Sequence, residues 1–280
     1  MNQHREARNF SLDPARSSEY IRTPGGFRYK SFVHKLDPRQ SVIKRSGRLA
    51  LSDPARGALD VPSPEAPAEN PAGNGGGWIA WADWIDAGAS MITYFSTIWT
   101  VPAAPSTQSG QLIYLFNALE DGLGNDILQP VLQWGVSGSG GGNYWAVASW
   151  YVDSSNHAFC TPATQVNVGD RLTGLITLAI QADGSLNYTS QFVGIAGTSL
   201  VAQGLSNLVQ ATETLEAYGV TGASDYPNTA QTPMTNIDLR TAANPAVLHW
   251  NAAVMTNPAY GEHSFVVSNA SPGGEVDLYY

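Results

Sequence analysis

After Trp78 the chain is written mostly in short blocks of β-branched and aromatic residues, or in apolar–polar alternation, cut by Gly, Asn, Ser and Pro. Met91–Val101 (MITYFSTIWTV) is such a block and stops at Pro102, which cannot donate to a strand ladder. Gln111–Phe116, Ile127–Trp134 and Tyr144–Val152 read the same way, separated by EDGLGND and by SGSGGGN, a flexible connection. Asp170–Gln181 and Ser185–Val193 flank Ala182-Asp183-Gly184, whose Asp-Gly pair signals a hairpin. Further strands are expected around Asn236–Leu239, Ala246–Ala252 and Ser264–Val267. Strands recurring at roughly 8–12 residues predict a sandwich or barrel.

Leu205–Tyr218 (LSNLVQATETLEAY) admits two readings. Leu205, Leu208, Thr212 and Leu215 recur at helical spacing, and a helix is the slightly better fit. As a strand, Val209, Ala211, Glu213, Leu215 and Ala217 share one face, opposite Gln210, Thr212, Thr214, Glu216 and Tyr218. The strand reading leaves Glu213 as a lone carboxyl on an apolar face.

Charge divides the chain further. Residues 1–60 carry 12 Lys and Arg against 6 Asp and Glu, a net of +6, whereas residues 61–280 carry Arg171 and Arg240 against 17 acids, a net of −15. The stretch 61–77, VPSPEAPAENPAGNGGG, reads as a Pro/Gly-rich linker, and residues 78–280 as the folded body. A basic arm against an acidic body predicts attraction at neutral pH that fades as carboxylates are protonated. The bland alternative is a basic tail that touches nothing.

Composition narrows the function. The net charge of −9 disfavours a nucleic-acid binder. No apolar run approaches the ~18 residues of a membrane span, and the first 30 residues hold no export signal. One cysteine, Cys160, excludes an intrachain disulfide, and five scattered histidines make a structural zinc site improbable, so neither metal nor cofactor is expected. No GxSxG, P-loop, HExxH or GxGxxG occurs. Seven of the eight tryptophans lie between Trp78 and Trp150; they suit a core, or an aromatic groove for peptide or glycan.

The runs ASMITYFSTIWTVPAAPS, ILQPVLQWG, NYWAVASWYVDS and VNVGDRLTGLITL, in that order, resemble successive segments of the glutamic peptidases, or eqolisins. The resemblance spans roughly residues 78–250. It implies an all-β, concanavalin A-like antiparallel sandwich of jelly-roll type, with residues 1–60 as an irregular, propeptide-like arm. It also implies a secreted, metal-independent acid endopeptidase acting on polypeptide. In that family a Gln and a Glu form the catalytic pair. The resemblance puts the Gln at Gln129 and the Glu at Glu213, with Glu216 as rival; a register shifted by one would put Thr212 there, which cannot serve as a base. Tyr114, Gln133 and Trp150 are the implied substrate-binding residues. Val147 and Ser149 stand where the family has an aromatic and an acid, and Tyr114 where it has a tryptophan; the family's Asp has no clean counterpart, Asn117 and Glu120 being nearest. An intact pair would let the carboxylate take a proton from water while the amide donates to the developing oxyanion. The competing reading is a non-catalytic, lectin-like module holding glycan or peptide in the same groove. With no export signal in view, a cytoplasmic location is the alternative to secretion.

Overall fold

The computed structural model describes residues 18–61, 77–86, 90–124, 126–242, 248–255 and 258–280. Within them the chain forms two large sheets and one separate hairpin, with 3-10 turns at Lys30–Phe32 and Ala223–Asp225 and no α-helix. The hairpin joins β1 (Tyr20–Thr23) to β2 (Gly26–Tyr29).

The front sheet runs, edge to edge, β19 (Asn251–Val254), β7 (Trp78–Ile85), β17 (Gln210–Tyr218), β9 (Leu112–Glu120), β10 (Ile127–Ser137), β11 (Gly140–Val152), β12 (Ala158–Cys160) and β3 (Val33–Lys35), and β13 (Thr164–Gln165) also pairs with β11. The back sheet runs β20 (His263–Ser268), β21 (Gly274–Tyr279), β18 (Gln231–Thr241), β8 (Ile92–Thr100), β14 (Arg171–Ile180), β15 (Leu186–Phe192), β16 (Leu200–Leu205), β4 (Ser41–Arg45), β5 (Arg48–Asp53) and β6 (Gly57–Asp60). Pairing is antiparallel except at β3–β12 and β4–β16. This is the expected all-β sandwich.

The core lies between the sheets. Leu115, Leu119, Leu128, Leu132 and Leu215 of the front sheet pack against Phe95, Trp99, Leu172, Ile176 and Met234 of the back. A second apolar cluster, of Trp78, Trp81, Tyr114, Phe116, Val131, Ala148 and Trp150, covers the outer face of the front sheet. Because side chains alternate along a strand, β9 and β10 supply both clusters, which explains why their sequences read as unbroken apolar runs.

Two expectations need correction. Leu205–Tyr218 is not a helix: its second half is β17, held between β7 and β9. Both of its faces are buried from Gln210 to Ala217, and a central position in a sheet supplies a backbone partner on each side, which overrides a weak helical periodicity. Nor is the described part of the N-terminal arm irregular, since residues 18–60 contribute six strands. β3 extends the front sheet, β4–β6 extend the back sheet, and Lys44 Nζ meets the Asp126 carboxylate at 2.6 and 2.9 Å. Asp126 also accepts from Tyr151 Oη and Ser206 Oγ. Attraction between arm and body is thus backed by backbone ladders. The expected 61–77 linker lies outside the described residues, save Val61 and Gly77.

The close approach of the sheets depends on Gly174. A Cβ there would fall 2.3 Å from Asn117 Oδ1 and 2.8 Å from the Trp99 ring. Gly174→Ala is therefore expected to lower the urea midpoint by an amount worth about 1–3 kcal/mol with the slope unchanged. An unshifted midpoint would show that the sheets are not packed this closely.

Candidate active site

Strand register assigns every candidate residue to a face. β10 pairs with β9 so that Val131 meets Phe116 and Gln133 meets Tyr114; β9 pairs with β17 so that Ala118, Phe116 and Tyr114 meet Thr212, Thr214 and Glu216. Three rows therefore cross the outer face: Gln129–Ala118–Thr212, Val131–Phe116–Thr214 and Gln133–Tyr114–Glu216. The alternate row, Pro130–Asn117–Glu213, points into the sandwich.

Gln129 and Glu213 thus lie on opposite faces of one sheet and do not meet. Glu213 is fully buried between the sheets, where Thr97 Oγ1 of β8 donates to its Oε1 at 2.5 Å. Burial among apolar side chains pushes its carboxyl well above the ordinary range, with the Thr97 hydrogen bond opposing. It reads as a neutral core carboxyl.

The rival, Glu216, does reach the outer face. It is fully buried, and its Oε1 accepts from Tyr218 Oη and, at 2.8 Å, from the backbone N–H of Gly25 at the tip of the β1–β2 hairpin. Burial raises its pKa to about 7, opposed by those two hydrogen bonds and by the Arg28 guanidinium. The hairpin can offer that N–H because the turn is Thr23-Pro24-Gly25-Gly26: Pro24 presets the turn, and Gly25 takes a φ of +79° that suits glycine. Thr23 Oγ1 donates to Gly26 O at 2.8 Å and accepts from Arg28 Nη1 at 2.6 Å, closing the loop.

The three implied substrate-binding residues share this face, but none is open. Tyr114 is buried and edge-on to Tyr218, with ring centres 6.4 Å apart. Gln133 spends its amide at home: Nε2 donates to Gly135 O and Gly140 O, and Oε1 accepts from Ser137 and Ser139 Oγ. Those four bonds brace the glycine-rich turn between β10 and β11, so the expected flexible connection is a tight hairpin. Trp150 packs beneath Gly138, where a Cβ would sit 3.2 Å from its ring and 2.7 Å from Val33 Cγ1.

Gln129 is different. Both atoms of its amide are buried without a hydrogen-bond partner, as are Thr212 Oγ1, Thr214 Oγ1 and Glu216 Oε2. The outer face therefore presents unmet donors and acceptors beside Trp81 and Phe116. Among the described residues no group of three or more His, Cys, Asp or Glu is placed to hold a metal, and no helix is long and apolar enough to cross a membrane. Cys160 is buried, and desolvation pushes its thiol up to about 12.

The site and fold define a two-sheet sandwich with a buried polar row on one outer face. No protein-family model and no curated protein matches the chain. Among solved structures, scytalido-glutamic peptidase with a transition state analog inhibitor is similar over 73% of this chain and 98% of that one, at 16% identity and a TM-score of 0.49. SCP-B, a member of the eqolisin family of peptidases in complex with the tripeptide Ala-Ile-His, is similar over the same shares at 16% identity and 0.44. Aspergilloglutamic peptidase from Aspergillus niger is similar over 60% and 99% at 13% and 0.32. The family that the sequence resembles is the family found among these structures. At these identities and TM-scores the likeness carries no chemistry to this chain, whose chemistry rests on its own side chains.

Sequence reading missed the contribution of the hairpin to this face, although Pro24-Gly25-Gly26 is a turn signal. It also missed Tyr218 and Thr97, whose partners come from distant strands and leave no local pattern.

Glu216 yields a signed prediction. A carboxyl whose pKa is raised on folding contributes stability that is complete below about 4.5 and lost as pH rises toward about 7. Glu216→Gln removes that loss. The variant's unfolding free energy relative to wild type is expected to improve between pH 4.5 and pH 8, by up to about 3 kcal/mol. A difference independent of pH would mean that the carboxyl is not buried in the folded protein.

Proposed function

We propose that this chain is a polypeptide-binding protein on a glutamic-peptidase-like sandwich, using the outer face of the front sheet, and that neither Glu213 nor Glu216 forms a water-activating pair with Gln129. The observation that carries the reading is the row Gln129–Ala118–Thr212. Two residues flanking one strand stand about 9–10 Å apart, near enough for long side chains to share a water above the small Ala118. Thr212 is short, and its hydroxyl does not take a proton at any working pH. Glu213 points to the other face. Glu216 is displaced from Gln129 by four residues along the strand, roughly 13 Å, as well as by two strand spacings. A general base needs hydrogen-bond reach of its proton, and neither Glu213 nor Glu216 has it beside Gln129; Glu120, opposite Ile127 on β9, shares the outer face with Gln129.

Binding chemistry remains. These groups are covered in this structure; uncovered, a carboxamide with an unmet donor and an unmet acceptor matches the N–H and C=O of an extended chain, and the two threonine hydroxyls add either role. Trp81 and Phe116 supply apolar area around these groups. The face already takes one backbone N–H, that of Gly25 on Glu216.

One observation favours hydrolysis as a second reading: a carboxyl held near pH 7 by burial is what a general base requires. Assays of wild type, Gln129→Ala and Glu216→Gln on a denatured protein between pH 3 and 7 separate the two. We expect no cleavage by any form, measurable polypeptide binding by wild type, at least tenfold weaker binding by Gln129→Ala, and no tryptophan fluorescence change with a glycan panel. Cleavage by wild type that is lost in Glu216→Gln would overturn the binding reading in favour of hydrolysis.

A further inference from the structure

The N-terminal segment is joined to the body by a contact that a carboxylate argument does not cover. His34 of β3 and His157, just before β12, face each other with Nε2 and Nδ1 2.8 Å apart. Their rings lie 5.1 Å apart and nearly parallel, and His34 also stacks on Phe159 at 4.9 Å while Phe32 leans on His157 at 4.7 Å. The pair sits where β3 makes its parallel pairing with β12, His34 opposite Phe159. We propose that the His34–His157 contact is an acid-sensitive clasp that holds residues 18–35 against the front sheet and releases them when both rings are protonated.

The chemistry follows from the ring nitrogens. In the neutral pair one N–H donates to the other ring's lone pair. One added proton can still be shared between the two nitrogens. A second leaves two donors and two positive charges face to face, and the bond is lost.

The surrounding charges decide which way the pair leans. Arg28, buried on β2, acts on His157 as a like charge; Lys35 follows His34 on β3. The Asp153 carboxylate, four residues before His157, is turned to the Ser155 hydroxyl and to the backbone N–H of Ser155 and His157, not to either ring. Glu216 also attracts Arg28, and its hydrogen bonds go to Gly25 N–H and Tyr218 Oη. Burial and mutual repulsion lower His34 to about 4, and burial and Arg28 lower His157 to about 4. A histidine lowered on folding contributes stability that is complete above about 6.5 and lost as pH falls toward about 4. Glu216 runs the other way, since acid favours its buried neutral form. Acid release is therefore assigned to the histidines.

Uncovering the outer face in this way matters for function only under the polypeptide-binding reading; the clasp itself does not depend on it. The two fail separately, one in amide exchange and the other in ligand binding. The experiment is amide hydrogen exchange on the full chain from pH 7 to 3.5, corrected for intrinsic rates, with wild type and His34→Phe. Phenylalanine keeps the stacking on Phe159 and does not titrate. In wild type, residues 18–35 are expected to lose protection between pH 5 and 4, while β9, β10 and β17 keep theirs. In His34→Phe the ring-to-ring hydrogen bond is absent, so residues 18–35 should already be less protected than in wild type at pH 7 and should change less between pH 5 and 4. Proton NMR titration of the wild-type histidines gives a check that needs no variant, with two rings expected near 4. Equal protection of residues 18–35 in both proteins from pH 7 to 3.5, protection lost together with the core strands, or all histidines titrating near 6.5 would overturn the clasp.

Discussion

Everything at the candidate site depends on one constraint: β9 lies between β10 and β17, and its alternation decides which side chains of those strands can meet. With Ala118 opposite Thr212, the outer face collects Gln129, Thr212, Thr214, Tyr114 and Glu216, and the interior collects Asn117, Pro130 and Glu213. A shift of one residue would exchange the two sets. Both sets are held in place by bulk: leucines fill one side, tryptophans and phenylalanines the other.

A sheet that is apolar on both faces must be covered on both. The back sheet covers one; the β1–β2 hairpin lies against part of the other, around Tyr114, Glu216 and Tyr218. Phe27 meets the Tyr218 ring at 5.9 Å, Arg22 O accepts from Gly138 N, and Gly25 N donates to Glu216. The N-terminal segment is thereby a structural layer as well as a charged one. Its cations are not scattered over the body's acids. Lys44 finds Asp126, whereas Arg22 and Arg28 donate to backbone and hydroxyl oxygens. Backbone pairing at β3 and β4 does the rest.

The all-β class and most body strands were legible in the sequence because β-branched blocks, Gly-rich turns and the Asp183-Gly184 hairpin are local signals. β17 was not, since a threonine- and leucine-containing segment with period near 3.6 becomes a strand only when two neighbours supply its ladder. The six N-terminal strands were hidden by charge: Lys and Arg are frequent in that region, while the apolar residues that dock, such as Phe32, Leu36, Val42-Ile43 and Leu49, come in runs of one or two. At the site, the resemblance implied Gln129 and Glu213 as a pair, and the register puts the two on opposite faces of the front sheet. The resemblance implied Glu213, with Glu216 as rival, but which of them shares a face with Gln129 is a matter of register with β9, and no single sequence carries that register.

Carbon-13 NMR of the glutamate side-chain carboxyls, followed through a pH titration of the full chain, addresses the face assignment most directly. The account predicts that Glu216 titrates near pH 7, responding to added polypeptide, and that Glu213 stays protonated well above the ordinary carboxyl range and is blind to ligand. A Glu213 carboxyl that ionises near ~4 and shifts when polypeptide is added would place it on the outer face and contradict the account.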